Sequence, residues 1–81
     1  MKRARHSENQ KAFGLKIREK RKLKGLTQET LSYMADLELS TLNRIELGKA
    51  GTSLSNIFAI CNALEIHPME LFDFEFKKVN K

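Results

Sequence analysis

Cysteine occurs once in these 81 residues, proline once, tyrosine once and tryptophan not at all. One thiol excludes an intramolecular disulfide, so the fold must close on its apolar core, and it fits a reducing, cytoplasmic setting. His6 and His67 lie far apart in sequence and, with that single Cys, give no metal-ligand cluster; no metal or other cofactor is expected. No apolar run approaches the roughly 20 residues that span a bilayer, and the basic N-terminus lacks the apolar centre of a signal peptide, so no membrane role is expected. The phosphate-loop pattern Gly-x4-Gly-Lys-Ser/Thr is missing, as is any nucleophile–base pair at recognisable spacing, which argues against an enzyme. Nothing in the sequence points to a small-molecule ligand.

What is present is compact and unevenly charged. The length suits one small domain, near the lower end of what folds without staples. Residues 1–24 carry ten Lys/Arg against two Glu, whereas residues 25–76 carry two against eight Asp/Glu. A basic flank beside a mildly acidic body suits a polyanion such as DNA. A solvated, Lys-rich helix would look the same, and charge alone leaves both open.

The organising stretch runs from Leu26 to Glu46. Leu31, Met34 and Ala35 recur at helical spacing, and Leu42 with Ile45 do so again, on two short helices expected to pack together. Leu37 falls between them, an apolar plug for the turn. The second helix leaves Leu39, Ser40, Asn43 and Arg44 on its other face. Two helices crossing at a tight turn can expose one of them to the DNA major groove.

Thr27-Gln28-Glu29-x-Leu31, the apolar Leu37 nine positions after Gln28, and Asn43-Arg44-Ile45-Glu46-Leu47-Gly48-Lys49 together resemble the phage-repressor helix-turn-helix family of the Cro/cI, xenobiotic-response-element type. The likeness continues through Leu54 to Phe72. It implies an all-α, compact five-helix domain with the helix-turn-helix at helices two and three. It also implies that Arg21, seven residues before Gln28, pairs with Glu46 at the end of the recognition helix; the bland alternative is a solvated charge. Two departures are visible. Ser32 stands where the family usually has Ala, small enough to keep the packing, with a hydroxyl able to bond back to the preceding turn. Asp36 stands where the family usually has Gly, which strains the turn by a few tenths to about 1 kcal/mol.

Taken in order, Met1 to Asn9 reads as a flexible basic arm, with Lys2, Arg3 and Arg5, that either frays or reaches a DNA groove. The domain proper is expected over residues 10–72. Its first helix, from about Gln10 to Lys24, sets Phe13, Ile17 and Leu23 inward and ends at Gly25. Thr27 is a good N-cap for helix two, and Gln28 behind it is placed either for a DNA phosphate or for plain capping. Glu38 at the entrance to the recognition helix either accepts from cytosine N4 or serves the helix end, the second being the better fit. Asn43 suits adenine, Arg44 guanine and Leu39 a thymine methyl, with Ser40 beside them, while Thr41 on the flank suits phosphate equally well. In the loop Gly48–Ser53, Lys49 and Thr52 are the candidate backbone contacts. Ser53 caps a fourth helix whose Leu54, Ile57, Phe58, Ile60, Cys61 and Leu64 are expected largely inside, Cys61 as a small hydrophobe. His67-Pro68 opens a fifth helix. Residues 73–81 form a tail in which Phe72, Phe74 and Phe76 alternate with charges as an edge strand would, covering either the core or a second copy.

These features imply a sequence-specific, double-stranded DNA-binding transcription regulator, a small stand-alone repressor or controller that reads a pseudo-palindromic operator as a homodimer. The alternative is an antitoxin-like or adaptor module that works through its Phe-rich tail.

Overall fold

The structure, a computed structural model, describes residues 6–49 and 51–79. Met1 to Arg5, which carry most of the expected basic arm, lie outside the described residues. Four α-helices follow in order: α1 Ser7–Leu23, α2 Gln28–Met34, α3 Leu39–Glu46 and α4 Leu54–Leu64. The fifth helical element, Pro68–Phe72, is a 3-10 helix and not an α-helix. Pro68 sits in its first turn, and the His67 ring and the Glu70 carboxylate form a reciprocal capping box, the ring accepting from the Met69 N–H at 3.0 Å. α1 begins earlier than its apolar periodicity indicates, and takes in three residues of the expected arm.

All four α-helices end in the same way. A residue just past the helix, one place on in α4 and two places on in the other three, takes a left-handed conformation; its N–H bonds back to a carbonyl three residues earlier, and the next N–H reaches five residues back. Gly25 (φ 70°) and Gly48 (φ 72°) do this freely, but Asp36 and Glu65 do it with a side chain, each at φ 57°. Leu26, Leu37, Lys49 and Ile66 supply the closing N–H groups, to Arg21, Ser32, Arg44 and Cys61 respectively. The expected strain at Asp36 is therefore present, and Glu65 is a second instance that its sequence context does not signal. The two N-caps read from the sequence are in place: Thr27 accepts from the Thr30 N–H and Ser53 from the Asn56 N–H. The Ser32 hydroxyl donates to the Glu29 carbonyl at 2.9 Å, back along its own turn.

Ile17, Leu31, Leu42, Ile60, Leu64 and Leu71 are fully enclosed at the centre, with Ala35, Ile45, Ile57 and Cys61 around them. Burial pushes the Cys61 thiol above its ordinary range, and Glu70 adds to that, so the group is a neutral hydrophobe. Helical spacing puts Leu23, Met34, Leu54 and Phe58 inside, and the structure does not; Leu23 is 75% exposed and Phe58 55%. Leu23 is six residues from Ile17 and so lies well round the helix from it, and Phe58 is one step of about 100° beyond Ile57. Met34 and Leu54 sit at helix ends, where fewer neighbours cover them.

α1 and α3 touch backbone to backbone at Gly14. A Cβ there would lie 2.5 Å from the Glu46 carbonyl oxygen and closer still to that of Ile45. Beside this crossing, Arg21 Nε donates to Glu46 Oε2 at 2.8 Å and Nη2 to Oε1 at 3.1 Å. Its third arm, Nη1, donates to the Leu26 carbonyl at 2.8 Å. The two residues paired by family likeness thus form a two-pronged ion pair, 8% and 4% exposed, that also pins the α1–α2 turn.

The tail is not a strand. Residues 73–79 run irregularly back along α1, where the Asn9 amide takes both backbone groups of Lys77: Nδ2 donates to its carbonyl at 2.8 Å and Oδ1 accepts from its N–H at 2.7 Å. Phe72 packs against Phe13 with ring centroids 4.9 Å apart, and Phe76 stacks near His6. A cavity of about 250 Å³ lies beneath, walled by Phe13, Ile45, Ile57, Phe72, Phe74 and Phe76 among others.

Removing one partner of a buried ion pair strands the other charge. Arg21→Met should lower unfolding stability by about 3–5 kcal/mol in denaturant titration, with Glu46→Gln losing less because an amide still accepts. In the opposite direction, Glu65→Gly should stabilise by about 0.5–1 kcal/mol, since glycine relieves the left-handed strain and the Glu65–Lys24 pair it removes is solvent-exposed. Glu70 gives a pH signature. Its hydrogen bonds from Lys20 (3.0 Å) and from the His67 N–H hold its carboxyl below the usual range. That contribution is present above the unfolded carboxylate pKa and lost as pH falls through the folded one. Glu70→Gln should lower the melting temperature near neutrality and flatten the acid limb, the two profiles converging as pH falls below the folded pKa.

Candidate nucleic-acid interface

The candidate recognition surface is the face of α3 turned away from Leu42 and Ile45. Those two, with Glu46, seat the helix on α1 and α2, and what remains outside is set by the helical repeat. Ser40, Asn43 and Arg44 are exposed, Leu39 is 42% exposed, and Thr41 is half-buried on the flank. Ser40 and Arg44, one turn apart, stand opposite the buried row. They form the outermost strip of the helix.

Asn43 is exposed beside that strip and tied on one side to α2. Its Nδ2 donates to Gln28 Oε1 at 3.2 Å, and Gln28 Nε2 donates in turn to Glu46 Oε1 at 3.0 Å. Gln28 is therefore more than a capping or phosphate residue: it is a bridge between the buried ion pair and the helix surface. This bridge was not legible in the sequence, because 15 residues separate Gln28 from Asn43 and 18 separate it from Glu46.

Glu38 occupies the N-cap position of α3 but makes no side-chain cap hydrogen bond. The helix-end role expected of it is thus not carried by a cap. The carboxylate is exposed at the helix entrance, where its charge favours the N-terminal dipole. At the other end, Gly48 turns the chain so tightly that a Cβ would lie 2.6 Å from Lys11 Cα. The loop is held against α1, and Lys49 follows it on the surface, exposed, with its N–H bonded to the Arg44 carbonyl at 3.0 Å. Thr52 is half-buried and its hydroxyl accepts from Asn56 Nδ2 at 3.0 Å, which ties it to the start of α4 and leaves its O–H to donate.

Behind this surface a groove of about 600 Å³ runs between α1, the start of α2 and α3. Arg18 and Lys22 form its α1 wall, and Gln28, Asn43 and Glu46 lie on the opposite side. Among the described residues neither Arg18 nor Lys22 is in an ion pair, whereas Lys16, Lys20 and Lys24 each are. Among the described residues no helix is long and apolar enough to cross a membrane, and no cluster of His, Cys, Asp and Glu has metal-ligand geometry.

This arrangement has counterparts of known sequence and structure. A family model described as helix-turn-helix matches residues 17–71. The control protein C.BamHI of Bacillus amyloliquefaciens is 40% identical over 63 residues, which cover 76% of this chain and 78% of that protein. The crystal structure of the restriction-modification controller C.AhdI from Aeromonas hydrophila superposes with a TM-score of 0.79 at 42% identity, covering 80% of this chain and 98% of that one. A point mutant of the restriction-modification controller C.Esp1396I is similar at 25% identity and a TM-score of 0.76, over 85% and 87% of the two chains. The chain belongs to the helix-turn-helix family of the Cro/cI type.

Proposed function

We propose that this protein is a sequence-specific double-stranded DNA-binding transcription regulator, a controller of restriction-modification genes that reads a pseudo-palindromic operator as a homodimer. One observation carries it: the exposed strip of α3, with Leu39, Ser40 and Arg44, is held by a buried ion pair and by two tight turns on a scaffold similar to restriction-modification controllers. A helix so mounted meets the major groove with fixed orientation. Arg44 supplies a two-pronged donor suited to guanine, and Leu39 an apolar surface suited to a thymine methyl. Lys49, with Thr41 and Glu38 at the margins, borders the sugar-phosphate backbone. The protein works in the cytoplasm, without cofactor, and has no enzymatic step.

The second copy docks on α4 in this reading. Leu71 is fully buried in its own chain and Asn9 clasps the Lys77 backbone, which leaves Phe72 and Phe76 as the exposed part of the tail surface that the Phe alternation suggested. Leu54 and Phe58 lie one turn apart on α4 and are 66% and 55% exposed, an apolar pair suited to an isologous contact. Sedimentation at micromolar concentration should give a dimer for wild type and a monomer for Phe58→Asp, while removal of residues 78–81 leaves the dimer intact. A wild-type monomer both with and without operator would refute this assembly.

Arg44 and Lys49 should fail differently. Arg44→Ala is expected to cost about 1–3 kcal/mol on the best operator and to relax preference at one base pair. Lys49→Ala should weaken operator and scrambled duplexes alike and reduce the salt slope by about one unit. Binding titrations of both variants across a salt series make the comparison. The reverse pattern would mean that α3 faces the wrong way.

A further inference from the structure

The bonds that reach Asn43 begin inside the protein and have a fixed sense. Glu46 accepts from Arg21 at both oxygens, and its Oε1 accepts again from Gln28 Nε2. A carboxylate in an ion pair has no hydrogen to give. Gln28 must therefore turn its amide NH2 toward Glu46, which points its carbonyl Oε1 outward. That carbonyl can only accept, so Asn43 must turn Nδ2 toward it, as the 3.2 Å bond records. The ambiguity that normally attends an amide's two ends is removed here by chemistry. Asn43 Oδ1 is the end left over, and it accepts no hydrogen bond among the described residues. Flipping Asn43 would set its carbonyl against that of Gln28, two acceptors facing each other.

We infer that the Arg21–Glu46 ion pair governs base preference: through Gln28 it fixes Asn43 as a hydrogen-bond acceptor toward the major groove, so that Asn43 selects a base carrying an exocyclic amine. Adenine N6 and cytosine N4 are the amines displayed there, whereas guanine O6 and thymine O4 have no hydrogen to give to Asn43 Oδ1 and can meet only the second N–H of its amide. Gln28 and Glu46 are positioning residues, and Asn43 is the reading one. The inference rests on α3 being the groove helix. It makes a purely internal pair part of specificity, with an effect on choice of sequence separable from its effect on stability.

Duplexes in which one adenine is replaced by purine, or one cytosine by pyrimidin-2-one, lose the amine and little else. Wild type should lose about tenfold in affinity at one such position in each half-site. Asn43→Ala should show no discrimination at that position. Gln28→Met leaves Arg21 and Glu46 paired and frees the Asn43 amide, so it should lose most of that discrimination while melting close to wild type. Glu46→Gln, measured below its melting temperature, should do the same, because an amide at 46 can donate as well as accept and lets Gln28 turn over. Arg44→Ala should retain it. Equal amine-dependent losses in wild type and Gln28→Met at every position would overturn the inference while leaving the regulator reading intact. A wild type that binds operator and scrambled duplexes alike would remove both.

Discussion

The ion pair between Arg21 and Glu46 is the interaction on which the rest of the molecule depends. Two charges taken out of water gain little unless their polar atoms find partners, and here each buried nitrogen and oxygen of the pair has one. Three guanidinium nitrogens and both carboxylate oxygens have partners, and those partners lie on α1, the α1–α2 turn, α2 and α3. An apolar pair of equal volume would pack as tightly but would not define the angle at which α3 leaves the domain. Directionality is what the charges add, and a helix that must enter a groove needs it.

Helix ends do comparable work with less material. The four repeated left-handed closures place each helix without long loops, and the apolar Leu26, Leu37 and Ile66 that follow three of the turns pack against the core. Gly14 completes the frame by letting two backbones meet where any side chain would hold them apart. These constraints are local, so a chain of this size can hold a precise surface without disulfide or metal.

Local constraints are also what sequence reveals best. Thr27 and Ser53 as caps, Gly25 as a helix stop, and the seat formed by Leu31, Leu42 and Ile45 were all readable from spacing, because each depends on neighbours within a turn or two. The Arg21–Glu46 pairing spans 25 residues and was accessible only through family likeness. Helical phase misled where an apolar residue lay near a buried one in sequence but not around the helix, as with Leu23 and Phe58. Alternating Phe residues in the tail imitated a strand; without a neighbouring strand to complete its hydrogen bonds, the segment packs as irregular chain along α1 instead. Nothing marked Asn9, a polar residue in a polar stretch, as a buried one. The exposed strip of α3 was visible in outline, but not that Asn43 belongs to a relay with Gln28.

The way Asn9 holds the tail has a consequence for how this end of the protein can diverge. Its amide grips the carbonyl and N–H of residue 77 and ignores the side chain. Every amino acid but proline offers the same two groups, so the anchor is indifferent to what position 77 encodes. The terminus can therefore change in charge or bulk over generations while its path along α1 is kept. Asn9 itself has no such freedom: aspartate would lose the donor, leucine both contacts, and glutamine would place the same amide one carbon too far out. Variation is tolerated on one side of the clasp and barred on the other, an asymmetry that a comparison of related chains would show as a fixed asparagine facing a drifting tail.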